Sequence, residues 1–509
     1  MKSLLFLVSI LLVGLFLRLY HLADWFYYTF DEEVMSFVGR RMIIESHIPL
    51  IGGITPLKFH LGPLFYYLSS IVLWISQFNP LGWGVFAAML TIIALILTTI
   101  VGRRFFDART AMIATLLMAT SYLMVIADRH YWPLVLNPMY SLLTIWSLFE
   151  LKRGRTLFAW TLAGTLILAS QTDPSNFVLL FLVPFVWWRG RLPLSRRLAV
   201  VIASIVLFAN VIPLGLFEIR HDFYNGRQFL TFFQGEQNQP MFRPTKFMDT
   251  LALFPRTFSR YLAVTKDNDA SLQLTPCGDI HSQRNAAVVW FLFWPSVFLL
   301  VWFCWRVIKH WSDKHWFGLK LIFLFGLLIF LGITIYGNIF NADIFEQYLA
   351  GFAPFFFLIT ASFFSSLWRS WYRWIVLFLI ILLVSLNMAF LFQGTNRFGW
   401  NDKLRAVGYA IERTDGQPFS LHAIGSCFAF GGYRYLFTLV GSEPVKSYVD
   451  NDLSWLYKMQ PQKEEPKTRV IIAAPNPNEG EVYQSLYDGY KRVASESASF
   501  GNIEVFIIR

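Results

Sequence analysis

The feature that most constrains this chain is its set of long apolar runs, about 4–20, 61–78, 82–101, 111–127, 134–150, 157–171, 175–188, 198–217, 287–308, 317–336, 346–366 and 374–392. A helix needs about 20 apolar residues to cross a bilayer core of about 30 Å. Repeated runs of this length predict a polytopic membrane protein. Charged residues are only 15% of the 509, against about 25% in ordinary soluble domains. Aromatics reach 18%, which suits interfacial belts.

The connections carry direction. Basic loops fall at 102–110 (Arg103, Arg104, Arg109), 151–156 (Lys152, Arg153, Arg155), 189–197 (Arg189, Arg191, Arg196, Arg197), 306–315 (Arg306, Lys309, Lys314) and 368–373 (Arg369, Arg373). Loops poor in Lys and Arg, at 128–133, 172–174 and 337–345, alternate with them. Excess Lys and Arg marks the cytoplasmic side. The formal net charge of +11 is therefore read as orientation against an anionic leaflet rather than nucleic-acid binding.

Parity leaves room for one span between residues 20 and 103, and two runs compete for it. Leu61–Phe78 contains Gly62-Pro63, Tyr66-Tyr67 and Gln77. It is the weaker run and is expected to lie as an interfacial helix. About eleven spans follow, with outer loops 21–81 and 218–286. The alternative is twelve spans with the N-terminus outside. Residues 2–20 read as an uncleaved first span, because no small-residue cleavage site follows.

Charges return after residue 392. Thr468–Ala473 and Asn502–Ile508 read as strands, and Gly480–Arg492 as an amphipathic helix. The expected architecture is an all-α membrane domain over 1–392 and a small outer α/β domain over 393–509. Cys277, Cys304 and Cys427 give no metal spacing and no disulfide framework, though a Cys277–Cys427 bridge stays open.

The first outer loop carries Thr29-Phe30-Asp31-Glu32-Glu33. One reading is a solvated helix start, with Thr29 as N-cap and acids in the first turn. The chemical reading uses one carboxylate at the water–lipid boundary to take a proton from an acceptor hydroxyl. On the same side, Arg220-His221 follow a span directly. They either snorkel to the interface or offer a rigid fork to a phosphate. Lys58, Arg256 and Arg260 are further cations there. Asp173-Pro174 reads as a turn.

Several segments, taken in order, resemble the polyprenyl-phosphate-sugar-dependent glycosyltransferases of the GT-C type, which include protein O-mannosyltransferases, aminoarabinose transferases and RgtA-like enzymes. They are Leu17-Arg18-Leu19-Tyr20-His21-Leu22 with Asp31-Glu32; Phe59-His60-Leu61-Gly62-Pro63-Leu64-Phe65-Tyr66-Tyr67-Leu68; Gly102-Arg103-Arg104-Phe105-Phe106; Ala127-Asp128-Arg129-His130-Tyr131-Trp132-Pro133; Phe217-Glu218-Ile219-Arg220-His221-Asp222-Phe223; and Glu346-Gln347-Tyr348-Leu349 with Pro354. Each is weak alone, and the ordered set is the signal. The likeness departs in two places. A second acid expected after Arg129 is missing, with Asp128 as a substitute, and Gln347 stands where relatives often have a base.

The resemblance implies Asp31 as catalytic base with Glu32 beside it. It implies Lys58, His60, Asp128, Arg129, Arg220, His221, Arg260 and Tyr348 as substrate-binding residues. The expected partners are a polyprenyl-phosphate-linked sugar donor, a glycan, lipid or protein acceptor, and the bilayer. No cofactor or metal is implied; Asp31, Glu32 and Asp128 could hold a divalent cation, which nothing in the sequence supports. The competing class is a transporter or lipid flippase. Such proteins carry paired halves and ionisable residues at mid-membrane, whereas here the halves do not repeat. A non-catalytic scaffold would leave the acidic triplet unused.

Overall fold

The computed structural model describes residues 2–55, 59–190, 192–235, 244–264, 290–339, 344–368, 371–394, 398–425, 431–457, 466–474 and 481–509. Lys58, Cys277 and Cys427 lie outside them.

Each expected span is met by helix. Those over Leu81–Phe105, Pro133–Lys152, Arg196–Arg220, Trp290–Lys309, Lys314–Ile339, Glu346–Leu367 and Arg373–Gln393 are long and apolar enough to cross a bilayer. The 18-residue N-terminal helix Lys2–Leu19 packs against them. The run at 111–127 is broken at Ser121, whose hydroxyl turns outward to Tyr261 O at 2.7 Å. Leu61–Phe78 contributes only the 12-residue helix Leu64–Ile75. At 1.5 Å per residue that is about 18 Å, too short to span. It packs instead on the helix Phe30–Ile44, which bears the acidic triplet.

The basic loops converge at one end of the bundle. Glu150 is buried there with Arg104, Arg153 and Arg155 around it at 3.3–3.7 Å. Asp107 accepts from Ser365 Oγ, and Arg109 lies over the Trp368 ring. At the opposite end sit the acidic helix, the turn after Ala127 and the loop after Arg220.

Among its described residues, the segment 218–286 holds two helices that the sequence reading left unassigned. Tyr224–Gly235 is short. Pro244–Leu262 is strongly amphipathic and packs among three apolar helices, burying Leu253, Phe258 and Arg260.

Beyond residue 398 the chain forms a small α/β unit. Its sheet has the order β2-β1-β3-β5-β4, built from β1 (Phe419–Ile424), β2 (Lys446–Ser447), β3 (Thr468–Ala473), β4 (Glu496–Phe500) and β5 (Ile503–Ile508). β1 runs parallel to β2 and β3, and β5 runs antiparallel to β3 and β4. The helix Trp400–Thr414 fastens this unit to the acidic end. Trp400 meets the rings of Phe26 and Tyr28 edge-on, and Asn401 donates to Asp24 at 2.6 Å.

This arrangement predicts opposite labelling of the two ends. Single cysteines at the exposed positions Ser46 and Gln417 should share one accessibility to an impermeant thiol reagent in intact cells. One at exposed Thr156 should show the other. The native cysteines are replaced first. Equal labelling of Ser46 and Thr156 would refute the two-ended arrangement.

Candidate active site at the acidic end

An α-helix turns about 100° per residue, so three successive side chains leave it on three faces. The acidic triplet follows that rule. Glu32, third residue of its helix, reaches back to the Thr29 backbone N at 2.8 Å and the Thr29 hydroxyl at 3.0 Å, in the manner of a capping box. Its other oxygen meets His130 Nε2 at 2.9 Å. Burial pushes the Glu32 carboxyl up, but His130 and the Thr29 donors outweigh it and hold it below its ordinary value. The solvated-helix-start reading is thus right about the cap, while Glu32 itself is buried.

Glu33 points the other way and is fully buried. It accepts from Gly432 N at 3.0 Å and Tyr435 N at 2.9 Å, both in the C-terminal unit. The sequence reading gave Glu33 no role, because its partners lie about 400 residues away.

Asp31 alone of the three is open to solvent. It nonetheless sits in a crowded recess, where desolvation, and then the charge of Glu32, raise its pKa to about 6; the nearby His130 opposes this. Tyr66, on the interfacial helix, faces the same recess. Burial and the Asp31 charge push its phenol up. His130 stacks flat on Trp132 and meets Tyr27 edge-on.

The turn after Ala127 is held from below. The Arg18 guanidinium donates from Nε to Asp128 at 2.9 Å and from Nη1 to the carbonyls of Gly14 and Ala119. Arg129 Nη2 donates to the carbonyls of Leu17 and Tyr20, and its guanidinium lies over the Trp25 ring. Asp128 and Arg129 are both buried, and each is engaged in tying the first span to this turn. Among the described residues no three His, Cys, Asp or Glu side chains converge as a metal site.

Two apolar grooves approach this end. The larger, about 950 Å³, runs between the helices Phe158–Thr172, Phe177–Gly190 and Arg196–Arg220. Its wall from Ala199 to Glu218 is about 28 Å long at 1.5 Å per residue, close to the depth of a bilayer core. Its mouth is formed by His60, Gly62, Glu218 and Asn225. Glu218 accepts from the backbone N of Asn225 and Gly226, and His60 N donates to Asn225 Oδ1. Burial lowers the His60 pKa. Arg220 is exposed, and no hydrogen bond or ion pair to it appears among the described residues. His221 is exposed, turned back on Phe217 O at 2.9 Å. The segment from His60 to Tyr66 therefore joins the groove mouth to the Asp31 recess.

The second groove, about 600 Å³, lies between Pro244–Leu262 and the helices Trp290–Lys309 and Phe317–Ile339; the half-buried free thiol of Cys304 is in its wall. Beside it, Arg260 Nη1 stands 3.0 Å from Glu346 Oε2, with Arg256 Nε 3.8 Å from Oε1. Tyr348 is packed against Tyr336 and Phe345. The predicted residues thus fall into separate groups. Asp31 and Glu32 are in the recess with His130, which was not among the predicted residues; Asp128 and Arg129 are engaged in bracing the turn after Ala127; His60, Arg220 and His221 lie at or near the first groove, and Arg260 and Tyr348 lie by the second.

The fold as a whole is shared with solved structures of other membrane proteins. The structure is similar over 99% of its length to ArnT from Cupriavidus metallidurans bound to undecaprenyl phosphate, covering 97% of that chain (TM-score 0.57, 10% identity). It is also similar over 92% of its length to the oligosaccharyltransferase AglB from Archaeoglobus fulgidus in complex with an inhibitory peptide and a dolichol-phosphate, covering 69% of that chain (TM-score 0.52, 13% identity). No protein-family model matches the sequence, and no curated protein matches it. Identities this low establish a shared fold.

The Arg18–Asp128 pair gives a stability prediction. Asp128→Asn leaves a fully buried guanidinium without its counter-charge, which costs about 3–5 kcal/mol. The thermal midpoint in detergent should fall sharply. The double variant Arg18→Met/Asp128→Leu should recover much of the loss. A single variant as stable as the parent would mean that Arg18 has another counter-charge.

Proposed function

We propose that the chain is a glycosyltransferase that moves a sugar from a polyprenyl-phosphate carrier to an acceptor hydroxyl on the outer face of the membrane. The supporting observation is a solvent-open carboxylate with a raised pKa, joined by one short segment to the polar mouth of an apolar groove as long as the bilayer core is thick. The carrier's hydrocarbon fits the groove, and its phosphate comes to the mouth.

The acceptor hydroxyl enters from the aqueous side. Asp31 takes its proton as the oxygen attacks the anomeric carbon opposite the phosphate, and the bond to the carrier breaks. A pKa near 6 leaves Asp31 ionised at neutral pH and more basic than an ordinary aspartate, as a general base requires. A single displacement inverts the anomeric centre. Arg220, with its basic neighbours, stabilises the departing polyprenyl phosphate. The positive-inside bias puts the basic loops in the cytoplasm and the recess outside, at the cell membrane.

The test is mass spectrometry of outer-face glycans and lipid-linked sugars in cells with the parent protein, with Asp31→Asn and without the protein. The parent should create a product that both others lack, and the purified variant should lose about two to four orders of magnitude in transfer rate. Near-normal turnover by a folded Asp31→Asn protein would remove it as the base.

The raised pKa adds a signed expectation. The base works deprotonated, so kcat/KM should rise with pH through about 6 and level off above it. A flat profile between pH 5 and 7 would argue against Asp31.

For the phosphate, Arg220→Ala should weaken binding of undecaprenyl phosphate more than Arg220→Lys does, because Lys offers a point charge in place of two parallel donors. A surface ion pair would tolerate Lys. Unchanged affinity in Arg220→Ala would move the contact to Arg260 or Lys58.

A further inference from the structure

The C-terminal unit does more than cover the acidic end. Its backbone presses on the chain at the residue before Asp31. A Cβ placed on Gly431 would lie 2.3 Å from the backbone N of Phe30 and 2.6 Å from its Cα. One on Gly432, which has φ +95°, would lie 2.8 Å from the Tyr28 ring. No side chain fits either place, and the left-handed backbone at Gly432 favours glycine as well. The same two glycines are tied to the acidic helix from both directions. Gly432 N donates to Glu33, and so does Tyr435 N. Lys403 is fully buried and donates to the carbonyls of Tyr28 and Gly431. One ammonium thus bridges the chain entering the acidic helix and the glycine turn seated on it.

We propose that Glu33, Lys403 and the Gly431-Gly432 turn are positioning residues that fix the first turn of the acidic helix, so that the C-terminal unit is an integral part of the active site. The inference rests on the reading of Asp31 as the base.

The physical argument is one of leverage. Asp31 is the second residue of its helix, where an unrestrained first turn frays easily. Its own carboxylate has no hydrogen-bond partner among the described residues. Its direction is therefore set by the backbone at 28–33. Glu32 and His130 hold that backbone from one side. Glu33, two residues from Asp31 and about 200° around the helix, holds it from the other. A general base must stay within hydrogen-bond reach of the proton it removes, and a misplacement of about 1 Å can cost about 100-fold in rate. Lys403 sits where burial lowers its pKa to about 7, with Glu33 and Glu32 pulling it back up. In either protonation state its nitrogen can donate to the Tyr28 and Gly431 carbonyls and so hold the two segments together.

The test uses the full chain in detergent with three variants, and two readouts besides turnover. Gly431→Ala adds one methyl group against Phe30 and changes no charge. Glu33→Gln keeps shape but weakens the acceptor for two backbone N–H groups. Gly408→Ala, in the same unit and with no atom within 4 Å of its new Cβ, is the control. Hydrogen exchange of the amides of residues 29–36 is followed by mass spectrometry, together with affinity for undecaprenyl phosphate. The expected result is exchange at least tenfold faster over 29–36 in Gly431→Ala and Glu33→Gln, with carrier affinity within twofold of the parent. Formation of the cellular product should fall by at least tenfold, and Gly408→Ala should match the parent throughout. Parent-like exchange and product formation in Gly431→Ala would overturn the proposal, as would an equal effect in Gly408→Ala. If Asp31→Asn stays active while exchange in Gly431→Ala is fast, the reading of Asp31 fails and the clamp on the helix stands.

Discussion

The site depends on the pitch of one helix. Asp31, Glu32 and Glu33 would repel one another if they faced one way. Successive residues turn by about 100°, so each finds a different environment. Glu32 turns into His130 and its own helix cap, Glu33 into the amides of the C-terminal unit, and Asp31 into the open recess. The two buried carboxylates are the ones supplied with donors. The third has no donor among the described residues, and desolvation followed by the Glu32 charge raises its pKa. Satisfying two acids structurally leaves the third chemically free.

The same logic orders the rest of the bundle. Ionised groups beside an apolar medium persist only when paired. Arg18 with Asp128, Glu150 with three arginines and Glu346 with Arg260 are such pairings. They pin helices far apart in sequence, such as the first span to the turn after Ala127. Among the described residues no ion pair links the helices Phe158–Thr172, Phe177–Gly190 and Arg196–Arg220, between which the larger groove lies. The helix Arg196–Arg220 stands almost free, with Leu207, Phe208, Val211 and Ile212 exposed, which leaves room behind it for a hydrocarbon chain.

What the sequence made legible follows from which signals are local. Apolar runs and basic loops gave the spans and their two ends. The break of parity at Leu61–Phe78 was readable because Gly62-Pro63 sits inside the run. β3 and the amphipathic helix Glu481–Val493 were readable from their periodicity. The helix Pro244–Leu262 was not, because Pro255 interrupts it and four charges, Lys246, Asp249, Arg256 and Arg260, mask its apolar face. β4 is a polar edge strand, Glu-Ser-Ala-Ser-Phe, with no run of apolar residues to announce it. Asp31 stood out within a local cluster. Glu33 did not, since what distinguishes it is contact with Gly432 and Tyr435, about 400 residues on. No periodicity reports that.

The cations divide by how much of their charge remains available. Arg220 is exposed, so water screens it and its attraction for a phosphate is modest at any distance. Burial works against a charge on His60. Arg256 and Arg260 share one buried carboxylate, Glu346, and the next acid near them, Asp249, is exposed. Two guanidiniums against one carboxylate leave about one positive charge in apolar surroundings. There an anion gains far more than at the surface. In the proposed reaction the phosphate sits at the mouth of the first groove, so Arg220, two residues from Glu218 there, is the cation placed to meet it. The Arg256–Arg260 pair lies by the second groove and is committed to Glu346. The two differ in their response to salt. Screening acts on the exposed arginine and leaves the buried pair nearly untouched.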